Sequence, residues 1–132
     1  MFSDCLSLEK INLGLLDFKF VKSLDYMFCN CEKLKYIDVS HIKSSNVSSC
    51  KSMFSDCSSL ERINLGLLDF GLVSDFSCMF KNCKNLIEID VSNFKAENSL
   101  SFSSMFEGCQ KLKKLMHQIF VHINAKIYIK CL

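Results

Sequence analysis

The chain has no proline, no tryptophan and only four glycines among its 132 residues. With so little linker chemistry a flexible tether between separate domains is excluded, and the whole chain is expected to pack. There is no run of about 20 apolar residues, so no membrane-spanning helix is expected. An excess of charge of one sign is lacking too. The 16 basic and 14 acidic residues leave a net charge of +2, too little to argue for nucleic acid. Glycine-rich phosphate loops are also absent.

What is present is repetition. Met-Phe recurs every 26 residues, at Met1-Phe2, Met27-Phe28, Met53-Phe54, Met79-Phe80 and Met105-Phe106. A cysteine follows each time (Cys5, Cys31, Cys57, Cys83, Cys109), then a leucine (Leu8, Leu34, Leu60, Leu86, Leu112). Next come Ile11, Ile37, Ile63, Ile89 and Leu115, and then Leu13, Val39, Leu65, Val91 and the out-of-character His117. A period this strict, with no insertion, makes each 26-mer one coil stacked on the next. The expected architecture is an α/β repeat solenoid, a right-handed, leucine-rich-repeat-like coil stack with a short parallel sheet and short helices or turns on the other side. Residues 1–116 form its five coils, with repeats starting at 1, 27, 53, 79 and 105, and residues 117–132 form an off-pattern tail or cap.

Within a repeat, Leu-x-x-Ile-x-Leu/Val places its last two apolar residues at alternate positions of a short strand. The stretch from about Val21 or Val47 into the next Met-Phe reads as an irregular turn leading into a short helix. Phe, Met, Cys and Leu fill the interior, and Leu16, Ile42, Leu68 and Phe94 close the coil. Equivalent residues of successive coils are expected about 4.8 Å apart. The row Glu9, Lys35, Glu61, Ile87, Lys113 and the row Asp17, Lys43, Asp69, Lys95 alternate in sign. Asn12, Asp38, Asn64 and Asp90 keep carboxylates from becoming neighbours, which lowers like-charge repulsion. Repeat 3 matches repeat 1 at 17 of 26 positions and repeat 4 matches repeat 2 at 13, whereas repeats 1 and 2 share seven. A duplicated unit of 52 residues accounts for the same rows by ancestry, and both readings hold together.

The motif Met-Phe-x-x-Cys-x-x-Leu-x-x-Ile-Asp-Val-Ser, closing in Ser-Asn-Val-Ser, is written out from Met27 to Ser52. It resembles the leucine-rich repeats of BspA-type surface proteins, over residues 1 to about 116. The resemblance implies a curved leucine-rich solenoid at a cell surface, with roles in adhesion to host proteins or other cells. The odd repeats depart from it, with Asn12-Leu13-Gly14 and Asn64-Leu65-Gly66 in place of Asp-Val-Ser. Met1 to Lys10 lie inside the first repeat and contain Asp4 and Glu9, unlike a secretory signal. The expectation is a cytosolic chain or, preferred, a piece of a longer protein, because a solenoid needs a polar end cap.

Nine cysteines invite a disulfide or metal reading. Five hold one repeat position, as a buried ladder would, and five cannot pair off. Cys29, Cys50, Cys78 and Cys131 sit elsewhere, and Cys29-Asn30-Cys31 is too close-set for a zinc site. No metal or cofactor is expected. His41, His117 and His122 mark out no nucleophile, and repetition argues against catalysis, since active sites break symmetry. Asn46-Val47-Ser48 is a glycosylation sequon or simply the turn sequence of the repeat. The basic end, with Lys111, Lys113, Lys114, Lys126 and Lys130, reads as a solvated segment. The tail from Ile119 to Leu132 reads either as a last covering strand or as an unrelated terminus.

The functional expectation is a non-enzymatic module that binds another protein or cell-surface macromolecule. Its partner-binding face is expected along the outward strand positions Lys10, Asn12, Tyr36, Asp38, Arg62, Asn64, Glu88 and Asp90. Tyr and Arg are frequent interface hot spots, and several coils acting together would supply affinity. The alternatives are an intracellular scaffold and a truncated fragment of a longer surface protein.

Overall fold

A computed structural model of the chain describes residues 1–14, 16–42, 45–66, 68–90 and 101–112. Two strands, β1 (Tyr36–Asp38) and β2 (Arg62–Asn64), pair in parallel. Their register, Tyr36 on Arg62, Ile37 on Ile63 and Asp38 on Asn64, offsets the chain by one repeat. A parallel bridge from Arg62 to Glu88 carries the same row into the next coil. The strands are short because only the Leu-x-x-Ile-x-Leu/Val stretch alternates. Ile37 and Val39 are buried while Tyr36 is exposed.

A second line of contact runs through Ser23, Ser49, Asp75 and Ser101, bridged in parallel. From here into the Met-Phe turn the backbone makes a vertical ladder. The amides of Leu24, Tyr26, Phe28 and Asn30 donate to the carbonyls of Ser49, Lys51, Met53 and Ser55, at 2.8–3.0 Å. The same four rungs recur one coil on, from Cys50, Ser52, Phe54 and Asp56 to Asp75, Ser77, Met79 and Lys81, and again from Phe76, Cys78, Phe80 and Asn82. The intervening amides turn inward. Met27, Cys29 and Cys31 donate to the carbonyls of Leu24, Tyr26 and Phe28 within their own coil.

This pattern corrects the short helix expected before Met-Phe-x-x-Cys: among the described residues the stretch is a run of turns. A helix would commit every amide to a carbonyl four residues back. Here alternate amides leave for the neighbouring coil, which requires left-handed residues at fixed places. Asp4, Asn30, Asp56, Asn82 and Gly108 have φ between 59° and 77°, and Tyr26, Ser52, Cys78 and Ser104 between 52° and 56°.

The interior is the expected one. Phe28, Cys31, Leu34, Val39, Met53, Phe54, Cys57, Leu60, Phe80 and Leu86 are wholly buried. The rings of Phe2, Phe28, Phe54, Phe80 and Phe106 stack as one column, with centroids 5.4–5.6 Å apart and planes within 10° of parallel. Such offset contacts add about 0.5–1.5 kcal/mol per pair to the burial itself. Ile42 and Leu68 close their coils as expected, but Leu16 in the first coil is 40% exposed. Of the alternating row at Glu9, backbone bonds from Glu61 to Lys35 and from Ile87 to Glu61 stack the residues as expected. No ion pair joins Glu9, Lys35 and Glu61. Lys43, Val91, Phe94, Lys95, Lys113, Lys114, Leu115, His117, His122, Lys126, Lys130, Cys131 and the whole tail 117–132 lie outside the described residues.

Candidate binding surface

The outward strand positions form a row only in part. Tyr36, Arg62 and Glu88 stand side by side on three consecutive coils, held there by the sheet and its bridge. Tyr36 is 51% exposed. The Arg62 Nε lies 3.5 Å from a Glu88 carboxylate oxygen, with both side chains mostly in solvent. An exposed pair of this kind contributes at most about 1 kcal/mol and leaves both groups accessible. Lys10 and Asn12 are exposed, yet among the described residues no bridge joins them to β1. The Asn12 side chain instead accepts from the Gly14 amide at 2.9 Å.

The second row is better ordered. Asp38 accepts from the hydroxyl and the amide of Ser40, and its other oxygen accepts from the Asn64 side-chain amide at 3.2 Å. The Ser40 hydroxyl, and after it the Ser40 amide, hold the Asp38 carboxyl below its usual range. Asn64 and Asp90 are exposed. The face thus carries both signs of charge and one half-exposed aromatic ring.

A third feature has no counterpart among the expected site residues. Glu32, Asp56, Ser58, Asn82 and Lys84 line a hollow of about 350 Å³ on the turn side. Its floor is fixed: the Asn82 side chain donates to Asp56 at 2.8 Å, and the Ser55 hydroxyl donates to the other Asp56 oxygen at 2.6 Å. The same pairing occurs one unit earlier, from Asn30 to Asp4 at 2.7 Å. The sequence carried a signal for the hollow, since Leu6, Glu32, Ser58, Lys84 and Gln110 differ at one repeat position beside the constant cysteine.

The ladder cysteines are free, and so is every other cysteine among the described residues. From the second coil on, each ladder thiol donates to the carbonyl of the phenylalanine one coil earlier. Cys31 reaches Phe2 at 3.2 Å, Cys57 reaches Phe28 and Cys83 reaches Phe54 at 3.1 Å, and Cys109 reaches Phe80 at 3.0 Å. Burial pushes the Cys31 thiol up to about 11 and those of Cys50 and Cys109 up to about 12, and it raises Cys57 and Cys83 as well. Thiols so protonated are poor nucleophiles and poor metal ligands. Among the described residues no group of His, Cys, Asp or Glu is placed to hold a metal ion, and no helix is long and apolar enough to cross a membrane.

One Leu-x-x-Ile-x-Leu/Val stretch per coil, paired in parallel over a shared column of Phe and Cys, defines a repeat protein of the leucine-rich type. The chain belongs to the family described as "Mycoplasma protein of unknown function, DUF285", which matches residues 1–119. The match spans all five copies of the Met-Phe-x-x-Cys-x-x-Leu motif, whose form from Met27 to Ser52 resembles the BspA type. Among solved structures the chain is similar to a leucine-rich repeat protein from Eubacterium ventriosum, at 25% identity and a TM-score of 0.46. That likeness covers 70% of this chain, which spans only 23% of the other protein's length. No curated protein matches the chain.

Proposed function

We propose that the chain is a non-enzymatic, protein-binding module, a right-handed solenoid of five coils over residues 1–116 that recognises a partner at a cell surface. The observation that carries this reading is the exposed row Tyr36, Arg62 and Glu88, repeated coil on coil above the ordered Asp38 and Asn64. Lys10, Asn12 and Asp90 extend the same face. A row on a rigid stack is pre-organised, so little ordering entropy opposes binding, and each added coil adds contact. The resemblance of the motif from Met27 to Ser52 to BspA-type surface proteins supports adhesion or host recognition as the role. The thiol ladder is compatible with an oxidising exterior, because Cys31, Cys57, Cys83 and Cys109 are buried and bonded to carbonyls rather than to each other.

Antibody labelling of intact and permeabilised source cells tests the location. Signal on intact cells is expected; signal only after permeabilisation would move the function to an intracellular scaffold. For the face, Tyr36→Ala combined with Arg62→Ala should leave the circular dichroism spectrum unchanged and lower retention of the chain on partner-bearing cells about tenfold or more. Undiminished retention would place recognition elsewhere on the stack.

A further inference from the structure

We propose that the hollow at Glu32, Ser58 and Lys84 is a docking site for an extended polypeptide in the polyproline II conformation, with a basic and an acidic side chain three residues apart. The site goes beyond the strand face and shares no residue with it. Three consecutive coils contribute the same repeat position, in the order acid, small hydroxyl, base. Ser58 is too short to fill the gap between its longer neighbours, which leaves the depression.

The two charges at its ends are available. Among the described residues neither the Glu32 carboxylate nor the Lys84 ammonium has an ion-pair partner. The nearest acid of the floor, Asp56, already accepts from Asn82 and from Ser55, so it is held in the floor rather than extended toward Lys84. The neighbouring ion pair, Lys81 with Glu107 at 3.1 Å, shows what the same stack does when acid and base fall on adjacent coils. Glu32 and Lys84 are two coils apart, which keeps them separated.

That separation selects the partner's geometry. Two coil steps are about 9.6 Å at the usual spacing of paired strands. A polyproline II chain repeats its side-chain direction every three residues and advances about 9.3 Å in doing so. A β-strand does not fit, because residues three apart point to opposite faces. Beyond Glu32 the same row continues to Leu6, 54% exposed, an apolar contact for a proline ring.

Fluorescence polarisation with three labelled octapeptides tests the site. The first is Pro-Pro-Lys-Pro-Pro-Glu-Pro-Pro; the others carry two lysines or two glutamates at the same places. The mixed peptide should bind about threefold to fivefold more tightly than either single-sign peptide, as expected for one further exposed ion pair, gained at the end that the single-sign peptide leaves unpaired. Lys84→Glu should move the preference to the double-lysine peptide, and Glu32→Lys to the double-glutamate peptide. Both residues are exposed, so both variants should fold, which circular dichroism checks. Tyr36→Ala with Arg62→Ala should leave peptide binding unchanged, which separates this site from the strand face. No polarisation change at about 1 mM mixed peptide, equal binding of all three peptides, or preferences that the two charge reversals do not move would each overturn the proposal.

Discussion

Cysteine recurs once per coil because that position demands a small apolar body and a weak donor together. Cys57 fills wholly buried space and also donates to Phe28 of the coil before. That the ladder is buried was readable from its spacing. The thiol bond was not, since it needs a carbonyl from a residue 29 positions away whose direction is set by the turn. The buried thiols make stability depend on pH. An unfolded thiol titrates near 9.0, while Cys31 in the folded chain titrates near 11 and Cys50 and Cys109 near 12. The folded state therefore holds these protons longer. Their contribution is complete below about pH 9 and is lost as pH rises toward 12. Urea melts from pH 8 to 11 should show a falling midpoint, and Cys57→Ala with Cys83→Ala should flatten that fall. An unchanged slope in the double variant would mean that other groups cause it.

At the level of the element, the strand was legible and the turn was not. The alternation of Ile37 and Val39 against Tyr36 and Asp38 places β1 directly. The turn stretch mixes serine, charge and Met-Phe with no clean period, and a helix was a reasonable expectation for it. Half of the correction was nevertheless visible. Asp4, Asn30, Asp56, Asn82 and Gly108 are the residue types that best tolerate left-handed backbone, lined up at one position. Tyr26, Ser52, Cys78 and Ser104 carry no such mark, so the second left-handed position follows only from the cross-coil bonds. Glycine is required at one strand exit. Gly66 has a φ of +47°, and a methyl group there would fall 2.2 Å from Ser40 Cβ and 2.8 Å from its Cα. Gly66→Ala should cost at least about 2 kcal/mol by urea denaturation. The equivalent Gly14 would meet only the Asn12 side chain, at 3.1 Å, and Gly14→Ala should cost far less. Equal losses at both positions would contradict the register that brings Gly66 onto Ser40.

Over the whole molecule, the period of 26 residues fixed which residues share a column, and the phenylalanine rings and cross-coil amides follow it. The 52-residue duplication reappears as paired bonds, Asn30 to Asp4 and Asn82 to Asp56. Less of the candidate surfaces was legible. Strand alternation points outward at Tyr36 and Arg62, but it did not reveal which of the outward residues are paired from coil to coil, nor that a serine between Glu32 and Lys84 opens a hollow. Those features depend on side-chain length and on bonds between coils, which a period does not encode.

The four-rung amide ladder also decides how the molecule responds to load. Its bonds point from coil to coil, along the direction in which the stack would be stretched, and among the described residues no disulfide ties the coils together. Tension between the two ends therefore falls on one junction at a time, and the coils should peel away in succession like turns of a spring. Each event should free one 26-residue turn, lengthening the tether by roughly 85–90 Å. Optical-tweezer traces should show evenly spaced steps of that size at low force, and a single rip of the entire chain would show instead that the column of rings binds the coils into one mechanical unit.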